Sequence, residues 1–195
     1  MAELVESATA WMAEVHPHLR HLWRTLEWLL ELDPQASEAL RIAAVTHDAE
    51  RAFPPAEAGA SSADRPIAPV YERWHQDRSA RIVGEWLLAQ GAGPELALEV
   101  VWLVAMHEDG GSPEAALLQA ADSLSFLEVQ VEVFAGFVAG GELSEEAARA
   151  KLQRMHDRIT LPVARELAAP MLEAGLARIG EAGHAATAAR GDRAP

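Results

Sequence analysis

The sequence predicts an all-α fold, a single-domain helical bundle, on three observations. No stretch sustains the alternation of apolar and polar residues that marks a half-buried strand. Every segment between proline- or glycine-bearing breaks has the length of a helix. Within those segments apolar residues recur at i, i+3, i+4 and i+7, the spacing of one buried helix face.

Taken in order, residues 3–15 suit a short first helix that breaks at Val15-His16-Pro17-His18. Leu19, Leu22, Trp23, Leu26, Leu29 and Leu30 mark one face of a second helix, closed by Asp33-Pro34. Asp33 as N-cap and Pro34 at the first helical position then open a third. That helix carries Leu40, Ala43, Ala44 and His47 on one stripe and ends in His47-Asp48, so the pair points into the core.

Residues 53–69 follow, where Pro54, Pro55, Pro66 and Pro69 exclude a regular element. A long loop beside a site is read as a lid, with a tolerated insertion as the alternative. Helices are expected over residues 70–90, 95–108 and 113–138, separated by Gly91-Ala92-Gly93-Pro94, Gly110-Gly111-Ser112 and Gly140-Gly141. A last helix is expected over residues 144–176. Residues 1–179 thus make one domain, and residues 180–195, small, polar and rich in glycine and alanine, read as a flexible C-terminal tail.

Composition narrows the function. Thirty acidic residues against 16 basic ones give a net charge of -14 and a pI near 4.9, which argues against a grip on a nucleic-acid polymer. Small anionic substrates stay open, because metal ions or local arginines can reverse the field inside a pocket. The absence of cysteine excludes thiolate ligands, disulfides and a cysteine nucleophile. No apolar run approaches the roughly 20 residues of a membrane helix, so no membrane partner and a cytoplasmic location are expected. Phosphate loops of the glycine-rich type, His-Glu-x-x-His helices and nucleophile elbows are missing.

What stands out is a set of ligand-type side chains on apolar stripes. His47 and Asp48 end one stripe; His75 heads another with Ser79, Ile82 and Trp86; His107 ends a third made by Leu96, Val100 and Leu103; Asp122 lies among Leu118, Ser125, Phe126 and Val129. His21 adjoins Leu22 at the edge of its helix's apolar face, and His18 precedes it by nearly one turn. Any one of these histidines is explained by a satisfied core histidine. Together they would need a separate hydrogen-bonding solution each, whereas one or two shared metal ions satisfy them all. A mixed imidazole and carboxylate set suits manganese, iron, cobalt, nickel, zinc or magnesium. His16, His18 and His184 fit ordinary loop or tail positions, and His156-Asp157, amid Arg154 and Arg158, reads as a solvated helix face.

The order His, His-Asp, His, His, Asp resembles the HD-domain superfamily of metal-dependent phosphohydrolases. His21-Leu22-Trp23-Arg24 is similar to its first histidine with a following arginine, Ala44-Val45-Thr46-His47-Asp48 to its signature pair, His75 with Ser79-Ala80 to its next helix, and Leu118 to Leu124 to its terminal aspartate segment. His107-Glu108-Asp109-Gly110-Gly111 and Arg154-Met155-His156-Asp157-Arg158 further resemble an uncharacterised bacterial subgroup. The resemblance implies that His21, His47, Asp48 and Asp122 hold a first metal, and that His75 and His107 complete a second site with Asp48 bridging, or face the substrate phosphate if one metal binds.

The expected chemistry is hydrolysis of a phosphate ester, of a nucleotide or another small molecule, by a metal-activated water. Glu50 or Asp122 would take the proton, and Arg51, Arg73 and Arg78 are the candidate phosphate contacts, since guanidinium matches phosphate oxygens two at a time. Two alternatives are a metal-stabilised binding or regulatory module without turnover and a di-iron oxygenase with the same ligand types. Residues 96–106 and 129–138 offer apolar helix surface for a homodimer or a partner protein.

Overall fold

The computed structural model describes residues 2–53 and 69–191, and they are all-helical. In chain order the elements are α1 (Ala2–Val15), α2 (Leu19–Leu32), α3 (Glu38–Thr46), a single 3₁₀ turn (Ala49–Ala52), α4 (Pro69–Ala89), α5 (Pro94–Ala105), α6 (Pro113–Val129), α7 (Val131–Gly140), α8 (Glu145–Asp157) and α9 (Pro162–Gly191). Apart from its end residues, the expected lid lies outside the described residues.

At the centre lies α3, packed against α1, α2, α5 and α6. Its small residues Ala39, Ala43 and Ala44 let four neighbours approach, and Leu40, Ile42 and Val45 are buried beside them. Burying each of these larger side chains stabilises the fold by roughly 1.5–3 kcal/mol. Around this axis α2 runs along α6, α4 pairs with α5, and α7, α8 and α9 form a second layer against α6.

Helix starts follow serine caps: Ser37, Ser112 and Ser144 accept from the N–H groups of Leu40, Ala115 and Ala147, each at 3.1 Å. The cap of α3 is therefore Ser37 and not Asp33. Asp33 closes α2 instead, and its carboxylate accepts from the Gln35 N–H at 2.9 Å, which holds Pro34 in a turn.

Three expected boundaries shift. The segment 113–138 is two helices, bent by 52° at Gln130, although no proline or glycine marks the break. The segment 144–176 is broken between Asp157 and Pro162, with Pro162 at the first position of α9, whereas Pro170 sits inside that helix without ending it. The last helix also passes residue 180 and runs to Gly191, with Ala182 buried, since a run of alanines favours helix over a frayed end. Close approach of α9 to its neighbours depends on Gly175, where a Cβ would come within 2.8 Å of Leu152 and 3.1 Å of Val131.

Among the described residues, no single helix is long and apolar enough to cross a membrane.

Candidate metal centre

Five segments bring their ligand-type side chains to one place. His21 comes from α2, His47 and Asp48 from the end of α3, His75 from α4, His107 from the turn after α5, and Asp122 from the middle of α6; all six are buried. The four imidazoles form a chain of rings, with centroid separations of 5.3 Å for His21–His47, 5.1 Å for His47–His107 and 5.4 Å for His75–His107.

The hydrogen bonds on the outer side of each ring decide what the inner side can do. His47 Nδ1 lies 3.0 Å from the Ala44 carbonyl and His107 Nδ1 lies 2.7 Å from the Val104 carbonyl. Both carbonyls belong to the last turn of a helix, where they lack an intrahelical donor, so each ring donates from Nδ1. His75 Nδ1 lies 3.1 Å from Glu50 Oε2, again a pure acceptor when ionised. Ser125 donates its hydroxyl to the His21 carbonyl at 2.8 Å, which leaves Oγ to accept from His21 Nδ1 at 2.8 Å. All four rings therefore hold a proton on Nδ1 and turn Nε2 inward, the nitrogen a metal-ligating histidine offers once it is deprotonated.

Those nitrogens converge on two carboxylates, to which His21 and His75 donate from Nε2. His21 Nε2 is 3.0 Å and His47 Nε2 3.4 Å from Asp122 Oδ1, while His75 Nε2 is 2.8 Å and His47 Nε2 4.0 Å from Asp48 Oδ1. His47 Nε2 is a buried nitrogen that makes no hydrogen bond with either, an orphaned polar atom at the point where the donors meet. Two triads, His21/His47/Asp48 and Asp48/His75/His107, each place ligand atoms within 4.8 Å of one another and share Asp48. Nitrogen and carboxylate donors in this arrangement could hold a divalent cation, with Asp48 placed to serve both triads.

Electrostatics favour ionised carboxylates. Burial would raise the Asp48 pKa, but the Arg51 guanidinium, with Nε 2.8 Å from Oδ2, and the charges of His47 and His75 hold it well below the usual range. Burial acts likewise on Asp122, and Arg158 with His47 holds it down. Arg158 is a clamp: its guanidinium contacts both Asp122 and Glu108, and its Nε donates to Ser123 Oγ at 2.7 Å. His107 is pushed down to about 4 by burial and stays neutral. His47 is opposed by burial too, yet Asp122 and Asp48 push it up to about 9, so a proton supplies the positive charge that the carboxylates demand.

A cavity of about 540 Å³ opens onto this centre, with His21, Asp48, His75 and Asp122 on its floor. Of the three arginines expected at phosphate, Arg51 lines it. Arg73 does not: it is exposed and faces Asp77 and Asp109, because position 73 is about 200° around α4 from His75. Arg78 does not either, and its guanidinium sits over Trp74 at 5.7 Å.

The cation that sequence reasoning missed is Lys151, buried on α8, lining the cavity with Nζ 3.7 Å from Glu72 Oε1. Lys151, Met155 and Arg158 fall at i, i+4 and i+7, so the stripe rule that singles out the histidines would have found them had it been applied to cations. Hence the segment 154–158 is not uniformly solvated: Asp157 turns outward, His156 lies mostly covered beside it, and Met155 and Arg158 turn in.

His21 and His18 separate clearly. His21 faces Asp122, whereas His18 is exposed at the cavity mouth. His16 is buried and supports the floor from behind: Nδ1 accepts from the His18 N–H at 3.1 Å, so Nε2 donates to the Asp48 carbonyl at 3.1 Å. Burial pushes its pKa down to about 4, consistent with this neutral form. Glu50 is also buried, and its bond to His75 Nδ1 makes it a support for that ring.

No curated protein and no solved structure matches the chain. One family model, described as a domain of unknown function (DUF4202), matches residues 6–177, a span that takes in every ligand-type residue of the centre and the α8 clamp, and the chain belongs to that family.

Proposed function

We propose that this protein is a metal-dependent phosphohydrolase of the HD type, cleaving a phosphate ester of a nucleotide or another small molecule. The observation that carries the reading is the convergence of four Nδ1-protonated imidazoles on Asp48 and Asp122 at the floor of a cavity bordered by Arg51 and Lys151. His21, His47, Asp48 and Asp122 would hold a first divalent ion, and His75, His107 and the shared Asp48 a second. Such ions lower the pKa of water and polarise phosphoryl oxygen.

The chain's own residues supply the rest. Arg51 and Lys151 border the cavity among five carboxylates, Asp48, Glu50, Glu72, Glu108 and Asp122, so the field that draws an anionic phosphate would come from the bound ions together with these two cations. Arg158 keeps Asp122 ionised and in place, with Oδ1 turned toward the His21 and His47 nitrogens, while Glu50 keeps the His75 ring turned inward.

The test is elemental analysis of purified protein beside its Asp48→Ala variant, with phosphate release assayed over nucleotides and small phosphate esters. One or two equivalents of metal in the parent alone, together with release, supports the proposal. Iron without release would replace it with the oxygenase, and no metal in either protein would leave a binding module.

A further inference from the structure

Resting on that reading, a second feature of the cavity names the kind of ester. Asp122, Phe126 and Gln130 lie four residues apart on one face of α6 and its end, so the first ring stands about 6 Å along the helix axis from the Asp122 ligand position. The 52° bend at Gln130 then turns α7, and Val133, Phe134 and Phe137 on it line the same cavity. Phe126 and Phe134 meet edge to face at 5.2 Å, and Phe134 and Phe137 at 6.1 Å.

The wall has a buried part, Phe126 and Phe134 each 7% exposed with Lys151 Nζ 5.7 Å from the Phe126 ring, and an open part. It lines the same cavity as His21, Asp48 and Asp122, and Val133 and Phe137 are only half-buried. At about 540 Å³ the cavity falls in the range of small-molecule sites and has room for more than a phosphoryl group. At the wall's edge sits Gln130, whose side-chain amide is bonded by no other described residue and offers both donors and an acceptor.

We infer that the α6–α7 wall, Phe126, Val133, Phe134 and Phe137 with Gln130 at its rim, is the subsite for a flat aromatic group on the substrate, carried on the phosphate that the floor receives. An aromatic ring gains from edge-to-face and offset contacts with the phenylalanines, whereas a sugar or glycerol group would lose water there without replacing its hydrogen bonds.

Calorimetric titration of the full chain in excess manganese(II) tests this with three unreactive probes: methylphosphonate, benzylphosphonate and the phosphonate analogue of a nucleoside monophosphate. At least one of the two aromatic probes should bind about tenfold or more tighter than methylphosphonate. Phe137→Ala should cut that ratio to about threefold or less, and Phe137→Leu, which keeps apolar volume, should fall between. The tighter of the two aromatic probes tells whether the group is a nucleobase or a simple aryl ring. Ratios within threefold in the parent, or a ratio that Phe137→Ala leaves intact, would overturn the subsite alone. Failure of all three probes to bind would overturn the phosphohydrolase reading and this inference with it.

Discussion

The chain contains two His-Asp pairs near the end of a helix, and they have opposite fates. His47-Asp48 follows α3, with side chains only 1% and 9% exposed, while His156-Asp157 lies in the last turn of α8, with side chains 14% and 53% exposed. His47 bonds backward from Nδ1 to a carbonyl of its own helix and presents Nε2 to the centre. His156 spends Nδ1 on its neighbour Asp157 at 3.0 Å, a local pair that reaches nothing else in the cavity. The dipeptide itself carries no function. Its environment does: α3 is surrounded on four sides, so its last turn has nowhere to face but inward.

Five substitutions sharpen that comparison. The largest effect belongs to Asp48→Ala, which should abolish bound metal and lower phosphate release on the order of 10³-fold, about 4 kcal/mol of transition-state stabilisation, while far-ultraviolet circular dichroism stays helical. Divalent metal should raise the melting temperature of the parent and leave that of this variant unmoved. Turnover in Asp48→Ala would break the assignment.

Next is Arg158→Ala, which leaves Asp122 and Glu108 buried without their cation and should cost about 3–5 kcal/mol in denaturant unfolding. Arg165→Ala, whose partner Asp157 is exposed at 3.7 Å, should stay within about 0.5 kcal/mol. Equal losses in the two would contradict the clamp.

A smaller change is expected from Ser125→Ala. It removes the acceptor that fixes His21 Nδ1, and should weaken metal binding by roughly 10–100-fold without abolishing it, measured by competition with a chelating dye. The smallest belongs to Asp157→Ala, the counterpart of the first. Metal content, phosphate release and stability should all remain within error, about 0.5 kcal/mol for the last.

Much of the fold was open to sequence reasoning because its signals are local. Helical spacing spans one or two turns, and glycine punctuation is as short: Gly91 and Gly141 take the positive φ, 76° each, that the breaks at those positions anticipate. The six ligand-type residues stood out for the same reason, as polar side chains on stripes where packing asks for apolar ones. The cations beside the cavity were only partly legible: Arg51 was anticipated and lines it, Lys151 was missed. Arg73 and Arg78 lie close to His75 in sequence, yet a helix turns about 100° per residue, and nearness along the chain does not place two side chains on one wall.

The sequence by itself, then, determined the all-helical class, most helix positions and the identity of the side chains that cannot be content in a plain apolar core. Only the tertiary structure decided that His21 and not His18 faces Asp122, because the serine that turns its ring inward lies 104 residues away. It also decided that α8 supplies Lys151 and Arg158, and that the helix through Asp122 bends at Gln130 with no residue there to require it. Each of these depends on which helices pack together. Packing is set by the summed burial of whole helix faces, a quantity that no short stretch of sequence contains.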